Sequence, residues 1–154
     1  MTYKPMARFL ILWAIMGMMY LAIEAIWRIP SGGYANVAMI PVGGLCGVAV
    51  GAINQIKPFY RLKVIAQSLI GASVILAVEY ISGLILNVWL CLGIWDYSQM
   101  PLNLSGQICL LYGILWFFLC PFAIWTEDYI RWALWRENEP YSVAQVYKEF
   151  ITLK

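Results

Sequence analysis

The chain has no histidine among its 154 residues, and its four cysteines form neither a CxxC pair nor a zinc-type spacing. Without imidazole there is no histidine general base, no Ser-His catalytic pair, no His-containing metal site and no usual haem ligation. The patterns GxxxxGK(S/T), GxSxG and HExxH are also missing. These absences exclude P-loop ATP hydrolysis and the common hydrolase motifs, and we expect no cofactor and no metal ion.

Charge is scarce as well, because Asp, Glu, Lys and Arg together make up only 12% of the residues. The hydrophobic fraction is 63% and the mean hydropathy is +0.75, which is more apolar surface than a soluble domain of this size could bury. A net charge of +2 is too small to indicate nucleic-acid binding. The composition predicts an all-α polytopic membrane protein, one membrane domain over residues 1–154, with the lipid bilayer as its main partner.

Four apolar runs are each near the roughly 20 residues that a helix needs to cross a bilayer. We predict a bundle of four transmembrane helices, at about 7–28, 35–54, 64–90 and 107–125. The first run ends at a turn-rich segment and the second ends at Asn54–Pro58. Pro121 in the fourth run predicts a kink or a nearby helix end.

The basic residues indicate the orientation of these spans. With four spans, one side of the membrane holds nearly all of them and the other side holds only Arg28. We expect the protein in the plasma membrane. The positive-inside rule then places both of its termini in the cytoplasm. The residues on the cytoplasmic side are Lys4, Arg8, Lys57, Arg61, Lys63, Arg131, Arg136, Lys148 and Lys154.

The segment after the fourth run, residues 126–154, is less apolar and rich in tryptophan and tyrosine. It is typical of an amphipathic helix at the cytoplasmic membrane surface, although a continuation of the fourth span is an open alternative. Ser142-x-x-Gln145 resembles a capping box that begins a short final helix.

Gly43, Gly47 and Gly51 recur every four residues and therefore share one face of the second helix. Such small residues let another helix approach closely, either within the chain or in a homo-oligomer. The two halves of the chain show the same order of features. Each has a basic segment, a helix that contains a glutamate, an outer loop and a helix that returns to the basic side. Two parallel two-helix repeats are thus an alternative to chance similarity.

Glu24 and Glu79 lie inside apolar runs, each 16 positions after a basic residue, Arg8 or Lys63. Both reach about 24 Å along their helices, which places them at a similar depth. An intramembrane carboxylate must pair, be protonated or face a cavity. For Glu24 the i,i+4 residue Arg28 is a feasible partner. For Glu79 a protonated acid bonded across helices competes with a proton- or cation-binding site.

The loop between the third and fourth spans adds more polar groups to the same predicted outer side. Asp96 could cap a turn or join the two glutamates in an acidic vestibule. Asn103 and Gln107 would lie i,i+4 at the outer start of the fourth helix and could line that vestibule. The predicted polar site comprises Glu24, Glu79, Asp96, Asn103, Gln107, Arg28, Tyr97 and Trp95.

The segments Glu79–Gly83, Trp95–Ser98 and Pro101–Leu110 occur in an order that resembles the putative ABC-transporter type IV family, the CmpB-like permeases. Gly17, Glu24 and the segment Pro41–Gly47 agree more loosely, so the resemblance covers roughly residues 12–125. It implies a small multi-span protein of bacterial membranes with an assigned transport role and no catalytic residues. The resemblance implies an arginine at the position of Gln107. Glutamine in its place removes a possible cation partner for the acids.

Three functions are compatible with these features. The first is a transport-related protein whose acids bind a cation, proton or polar solute, with a separate ATPase subunit docking on the basic loop Lys57–Lys63 if transport is ATP-driven. The alternative, which the loop's basic composition favours, is a topology signal that faces anionic lipid headgroups. The second is an accessory protein that packs against other membrane proteins, and the third is an intramembrane enzyme that uses a carboxylate pair.

Overall fold

The structure, a computed structural model, describes residues 5–57 and 59–152. Lys4, Pro58 and Lys154, which the sequence analysis used, lie outside this range. The described part is mostly helical. Its α-helices are α1 (Pro5–Arg28), α2 (Met39–Ile53), α3 (Val64–Gly83), α4 (Leu110–Trp135) and α5 (Val143–Thr152). A π-helix, Leu84–Trp89, continues α3, and the short strands β1 (Asn103–Leu104) and β2 (Ile108–Cys109) precede α4.

The predicted all-α, membrane-type fold is confirmed. Three helices are long and apolar enough to cross a membrane: α1, α3 with its π-helical extension, and α4. The fourth apolar helix, α2, has 15 residues and is therefore only about 22 Å long. It begins at Met39 rather than near residue 35, because the Asn36 side chain accepts a hydrogen bond from the Ala38 N–H and holds a turn there.

The helix that was predicted at 107–125 is displaced along the sequence, since α4 begins at Leu110 and ends at Trp135. Pro121 lies inside it and does not end it. Proline removes one backbone donor, but the neighbouring turns gain side-chain bonds: the Tyr147 hydroxyl donates to the Phe118 carbonyl and the Thr126 hydroxyl to that of Phe122. Residues 126–135 are therefore a continuation of α4 and not a separate surface helix.

Asn103 and Gln107 do not lie on a helix, which corrects their predicted i,i+4 arrangement. They belong to a β-hairpin in which Asn103 pairs with Cys109 and Leu104 with Ile108. The turn between the strands has positive φ at Ser105 (52°) and Gly106 (67°), a combination that forms a tight hairpin and is incompatible with a helix.

The helices form an antiparallel bundle with two distinct ends. The basic end is where α1 and α3 begin and α2 and α4 end; there Arg8 of α1 meets Glu137, which follows α4. The loop end is where α1 and α3 end and residues 90–109 connect α3 to α4; there Trp27 of α1 meets Tyr112 of α4. In this geometry α1 packs mainly on α2 and touches α4 little.

Glycines allow the close contact between α1 and α2. A Cβ atom at Gly43 would overlap the Tyr20 side chain, and one at Gly47 would lie 2.5 Å from Met16 Cβ. The third glycine, Gly51, faces α4 instead, against the side chain of Glu127. Close approach at all three positions therefore occurs within the chain.

The final helix, α5, is amphipathic and folds back onto the bundle. Phe150 is buried against Phe117 and Phe118 of α4. The Ser142 hydroxyl accepts a 3.3 Å hydrogen bond from the Gln145 N–H, so this serine caps the helix start. The Trp125 indole donates to the Tyr141 carbonyl over 2.7 Å and fixes the preceding loop.

We predict that Gly43→Ala lowers the melting temperature of the purified protein in detergent. The added methyl group must displace Tyr20 or separate α1 from α2, at a cost of about 1–3 kcal/mol. Gly113→Ala is the matched control, because its new methyl would meet only the flexible Leu76 side chain, with Cδ1 nearest at 3.2 Å. A Gly43→Ala protein as stable as wild type would show that α1 and α2 are not closely packed there.

Candidate functional site

A cavity of about 1020 Å³ lies at the loop end, between α1, α4 and the connecting segment around residues 94–100. α1 packs mainly on α2 and has few backbone contacts with α4, and the cavity lies between α1 and α4. Three carboxylates (Glu24, Glu79 and Asp96) and one guanidinium (Arg28) line it. Trp95 and Tyr97 of the predicted site line it as well.

Glu79 is the most buried of these acids, with only 3% of its surface exposed. Its Oε1 accepts a 2.8 Å hydrogen bond from the Tyr20 hydroxyl, which comes from α1 across the cavity. Its Oε2 has no hydrogen-bond partner. The Trp116 indole N–H lies near the same carboxyl group but is not in hydrogen-bonding geometry. Glu79 therefore keeps one acceptor oxygen free, beside the cavity that it lines.

Glu24 and Arg28 form the i,i+4 ion pair that their spacing makes feasible, with 2.7 Å between Arg28 Nη2 and Glu24 Oε1. The Arg28 Nε donates to the same oxygen over 2.8 Å. The positive charge nearest to Glu24 is thus already supplied by its own helix. Among the described residues, no lysine or arginine forms an ion pair with Glu79.

Asp96 combines the two roles that its sequence position allows. Its Oδ1 accepts from the Ser98 N–H over 2.8 Å and its Oδ2 from the Ser98 hydroxyl over 3.0 Å, so it holds a turn while it also lines the cavity. Tyr97 stacks on Tyr112 of α4 with 4.6 Å between ring centroids. Burial, and next the negative charge of Glu79, raise the pKa of the Tyr97 phenol, which therefore stays neutral.

Asn103 and Gln107 do not line the cavity and instead fix the loop that covers it. The Asn103 amide donates to the Met100 carbonyl over 2.8 Å, and its Oδ1 accepts from the Gly106 N–H. Gln107 is buried; its side-chain oxygen accepts from Asn87 of the π-helix over 2.9 Å. The Gln107 backbone carbonyl accepts the Trp95 indole N–H, also over 2.9 Å.

Sequence reasoning missed the aromatic part of the cavity wall. Besides Trp95 and Tyr97, the wall includes two aromatic residues from each of two helices: Tyr20 and Trp27 from α1, and Tyr112 and Trp116 from α4. Tyr20 stacks on Trp116 with 5.4 Å between ring centroids. The available indication was the helical spacing of Tyr20, Glu24 and Trp27 on one face of α1.

A second polar cluster at the basic end was also missed. Glu127 of α4 is completely buried and pairs with Arg131 over 2.5 Å; Arg131 lies 3.7 Å from Glu137, which pairs with Arg8 over 2.7 Å. This chain of charges ties the start of α1 to the end of α4. The i,i+4 spacing of Glu127 and Arg131 was the available indication.

In the ranges 5–57 and 59–152, no three Cys, Asp or Glu side chains lie close enough together to hold a metal ion. The three cavity carboxylates line one space without converging on a point. What they offer chemically is a local negative potential and, among the described residues, two buried oxygens without a hydrogen-bond partner, Glu24 Oε2 and Glu79 Oε2.

A family model matches residues 9–140, which is most of the chain, and its description is Putative ABC-transporter type IV. No curated protein and no solved structure matches the chain.

We predict that Asn87→Ala loosens the hairpin. Asn87 donates to Gln107 Oε1 and accepts from the Ile94 N–H over 2.7 Å, and losing both leaves buried groups unsatisfied at a cost of about 1–3 kcal/mol. Cys109 is buried on β2, so its labelling by a maleimide reports opening. With Cys109 as the only cysteine, the variant should label about tenfold faster than its parent.

Asn36→Ala is the control for this measurement, since Asn36 also bonds a backbone N–H in a loop but lies far along the sequence from the hairpin. Equal labelling rates in the Asn87→Ala protein and its parent would mean that the hairpin does not depend on this bond network.

Proposed function

Because the chain belongs to the Putative ABC-transporter type IV family, we propose that it is a transport-related membrane protein whose loop-end cavity binds a cation, a proton or a small polar solute. Glu79 is the principal binding group in this proposal. The neighbouring residues Glu24, Asp96 and Arg28 set the local potential, and Trp95 and Tyr97 form part of the wall.

The observation that carries the proposal is the environment of Glu79. A buried carboxylate ordinarily acquires a cation or a full set of hydrogen-bond donors, because desolvation without compensation is costly. Glu79 has one donor, Tyr20, and an unpartnered Oε2 beside a cavity of about 1020 Å³. A bound proton or cation would supply the missing interaction.

We further propose that the chain is a single membrane domain with both termini in the cytoplasm and the cavity on the outer side. The basic end carries Arg8, Lys63, Arg131 and Arg136, whereas the loop end carries Arg28 alone among the described lysines and arginines. This asymmetry supports the orientation through the positive-inside rule.

If transport is driven by ATP, a separate ATPase subunit must bind this chain, because the sequence has no GxxxxGK(S/T) pattern. The basic loop Lys57–Lys63 is the internal loop on the proposed cytoplasmic side and would be its docking place. Homo-oligomerisation would enlarge the pathway that four helices enclose. An ATPase that co-purifies with the wild-type protein and is lost on replacing Lys57 and Lys63 by Ser would support this arrangement.

We predict that wild-type protein in detergent is stabilised by at least one of a panel of cations, protons or small solutes, and that Glu79→Gln abolishes that shift. A ligand at 100 times its Kd raises the stability by about 2.7 kcal/mol, which is a shift of several degrees in Tm. The measurement is a thermal melt across pH and ligand, with Glu139→Gln as control, since Glu139 is exposed and does not line the cavity.

Three other results have definite meanings. No shift with any ligand would overturn the binding proposal and favour an accessory role in which Glu79 only holds α1 and α3 together. A shift that survives in Glu79→Gln would place the binding site elsewhere. Turnover of a lipid-like substrate that requires both Glu24 and Glu79 would favour the carboxylate-pair enzyme instead.

The orientation has its own prediction. Cys91 is exposed at the loop end, whereas the other three cysteines are buried. In intact cells, a membrane-impermeant maleimide should label Cys91 of the wild-type protein. A cysteine introduced by Glu139→Cys in a Cys91→Ser background should react only after the membrane is permeabilised. The reverse pattern would invert the proposed topology.

A further inference from the structure

We propose that the ligand of the loop-end cavity is an organic monocation, a substituted ammonium ion with an apolar body, which pairs with Glu79 and packs against the aromatic wall. This inference rests on the proposed function and names its ligand class. Three independent properties of the cavity lead to it: its size, its composition and its distribution of charge.

The size argues against a bare inorganic ion as the sole occupant. A cavity of about 1020 Å³ is at the upper end of the roughly 300–1,000 Å³ typical of sites for drug-sized molecules. A dehydrated metal ion needs several converging oxygen ligands at about 2–2.6 Å. No group of three Cys, Asp or Glu side chains within residues 5–57 and 59–152 provides such a cage.

The wall suits a cation that carries hydrocarbon. Six aromatic side chains line the cavity, and a ring face attracts an ammonium ion that lies within about 6 Å of its centroid. Two pairs of these rings are stacked, Tyr20 on Trp116 and Tyr97 on Tyr112, so their positions are fixed before any ligand enters. Aliphatic residues such as Ile23 and Leu119 complete an apolar surface on which the body of the ligand would pack.

The charges indicate a single positive charge. Glu24 is already neutralised by Arg28, and both oxygens of Asp96 accept hydrogen bonds from Ser98. Glu79 remains: its side chain belongs to the cavity lining, it is nine-tenths buried or more, and its buried Oε2 has no partner among the described residues. In the described part of the chain, two cavity carboxylates have no cation: Asp96 is exposed, whereas Glu79 is buried among the aromatic rings. The buried charge of Glu79 matches one ammonium group, because an unpaired charge is costly only where it is desolvated.

The first test compares ligands on the purified full-length protein in detergent. The probes are tetraethylammonium and choline, the neutral choline isostere 3,3-dimethylbutan-1-ol, and NaCl and KCl. Thermal melts and tryptophan fluorescence titrations give the stabilisation and the Kd. We expect the organic cations to bind, the neutral isostere to bind at least about tenfold more weakly, and Glu79→Gln to remove that difference.

The second test concerns the aromatic wall. Trp116→Leu should weaken organic-cation binding by about 5- to 30-fold, and Trp116→Phe should restore most of it by retaining a ring. Trp27→Leu is a second variant at a more exposed position of the same wall, in case the Trp116 variants fail to fold. Trp89→Leu is the matched control, since Trp89 is 77% exposed and lies outside the cavity.

The outcomes separate this inference from the function on which it rests. A Glu79-dependent shift with Na⁺ or K⁺ and none with organic cations would leave the proposed function standing and overturn the ligand class. Equal affinity for choline and its neutral isostere would also overturn it, because charge would then be irrelevant. If neither kind of ion binds, the ligand class is overturned, and the proposed function falls with it when no proton- or solute-dependent shift is seen either.

Discussion

The close packing of α1 on α2 is the constraint on which the rest of the arrangement depends. Gly43 leaves room for Tyr20, and this contact holds α1 against α2 rather than against α4. The resulting gap between α1 and α4 is the loop-end cavity. The same contact positions the Tyr20 hydroxyl to donate to Glu79 of α3. Because Gly43 has no side chain, this position influences both the shape of the cavity and the hydrogen-bond partner of Glu79.

Polar groups in this apolar bundle are concentrated at its two ends, and each end handles charge differently. At the basic end, Glu127, Arg131, Glu137 and Arg8 form a continuous chain of ion pairs that closes the bundle. At the loop end, Arg28 pairs with Glu24, and Glu79 has a single hydrogen bond, from Tyr20. The first end is built for stability by charge compensation, whereas the second retains an uncompensated acid next to open space.

The connection between α3 and α4 shows how backbone irregularity supports that space. The π-helix at the end of α3 presents Asn87 to both the hairpin and the Ile94 N–H. Gly83 allows the Gln107 side chain to approach α3, since a Cβ there would overlap it. Gln107 serves this chain as a structural amide, because its side chain bonds Asn87 and the Ser105 carbonyl. The segment that covers the cavity is consequently held by hydrogen bonds as well as by the apolar packing of Ile94 and Trp95 in the core.

The sequence by itself determined the all-α membrane class, the four apolar helices, the Glu24–Arg28 pair and the family, because hydropathy, i,i+4 spacing and ordered motifs are local properties of the chain. Only the tertiary structure decided that Asn103 and Gln107 lie on a hairpin, that α4 runs through Pro121 to Trp135, and that aromatic rings from two helices enclose Glu79. These features depend on which surfaces approach one another, and side-chain bonds from distant residues such as Tyr147 override the local preference of proline to end a helix.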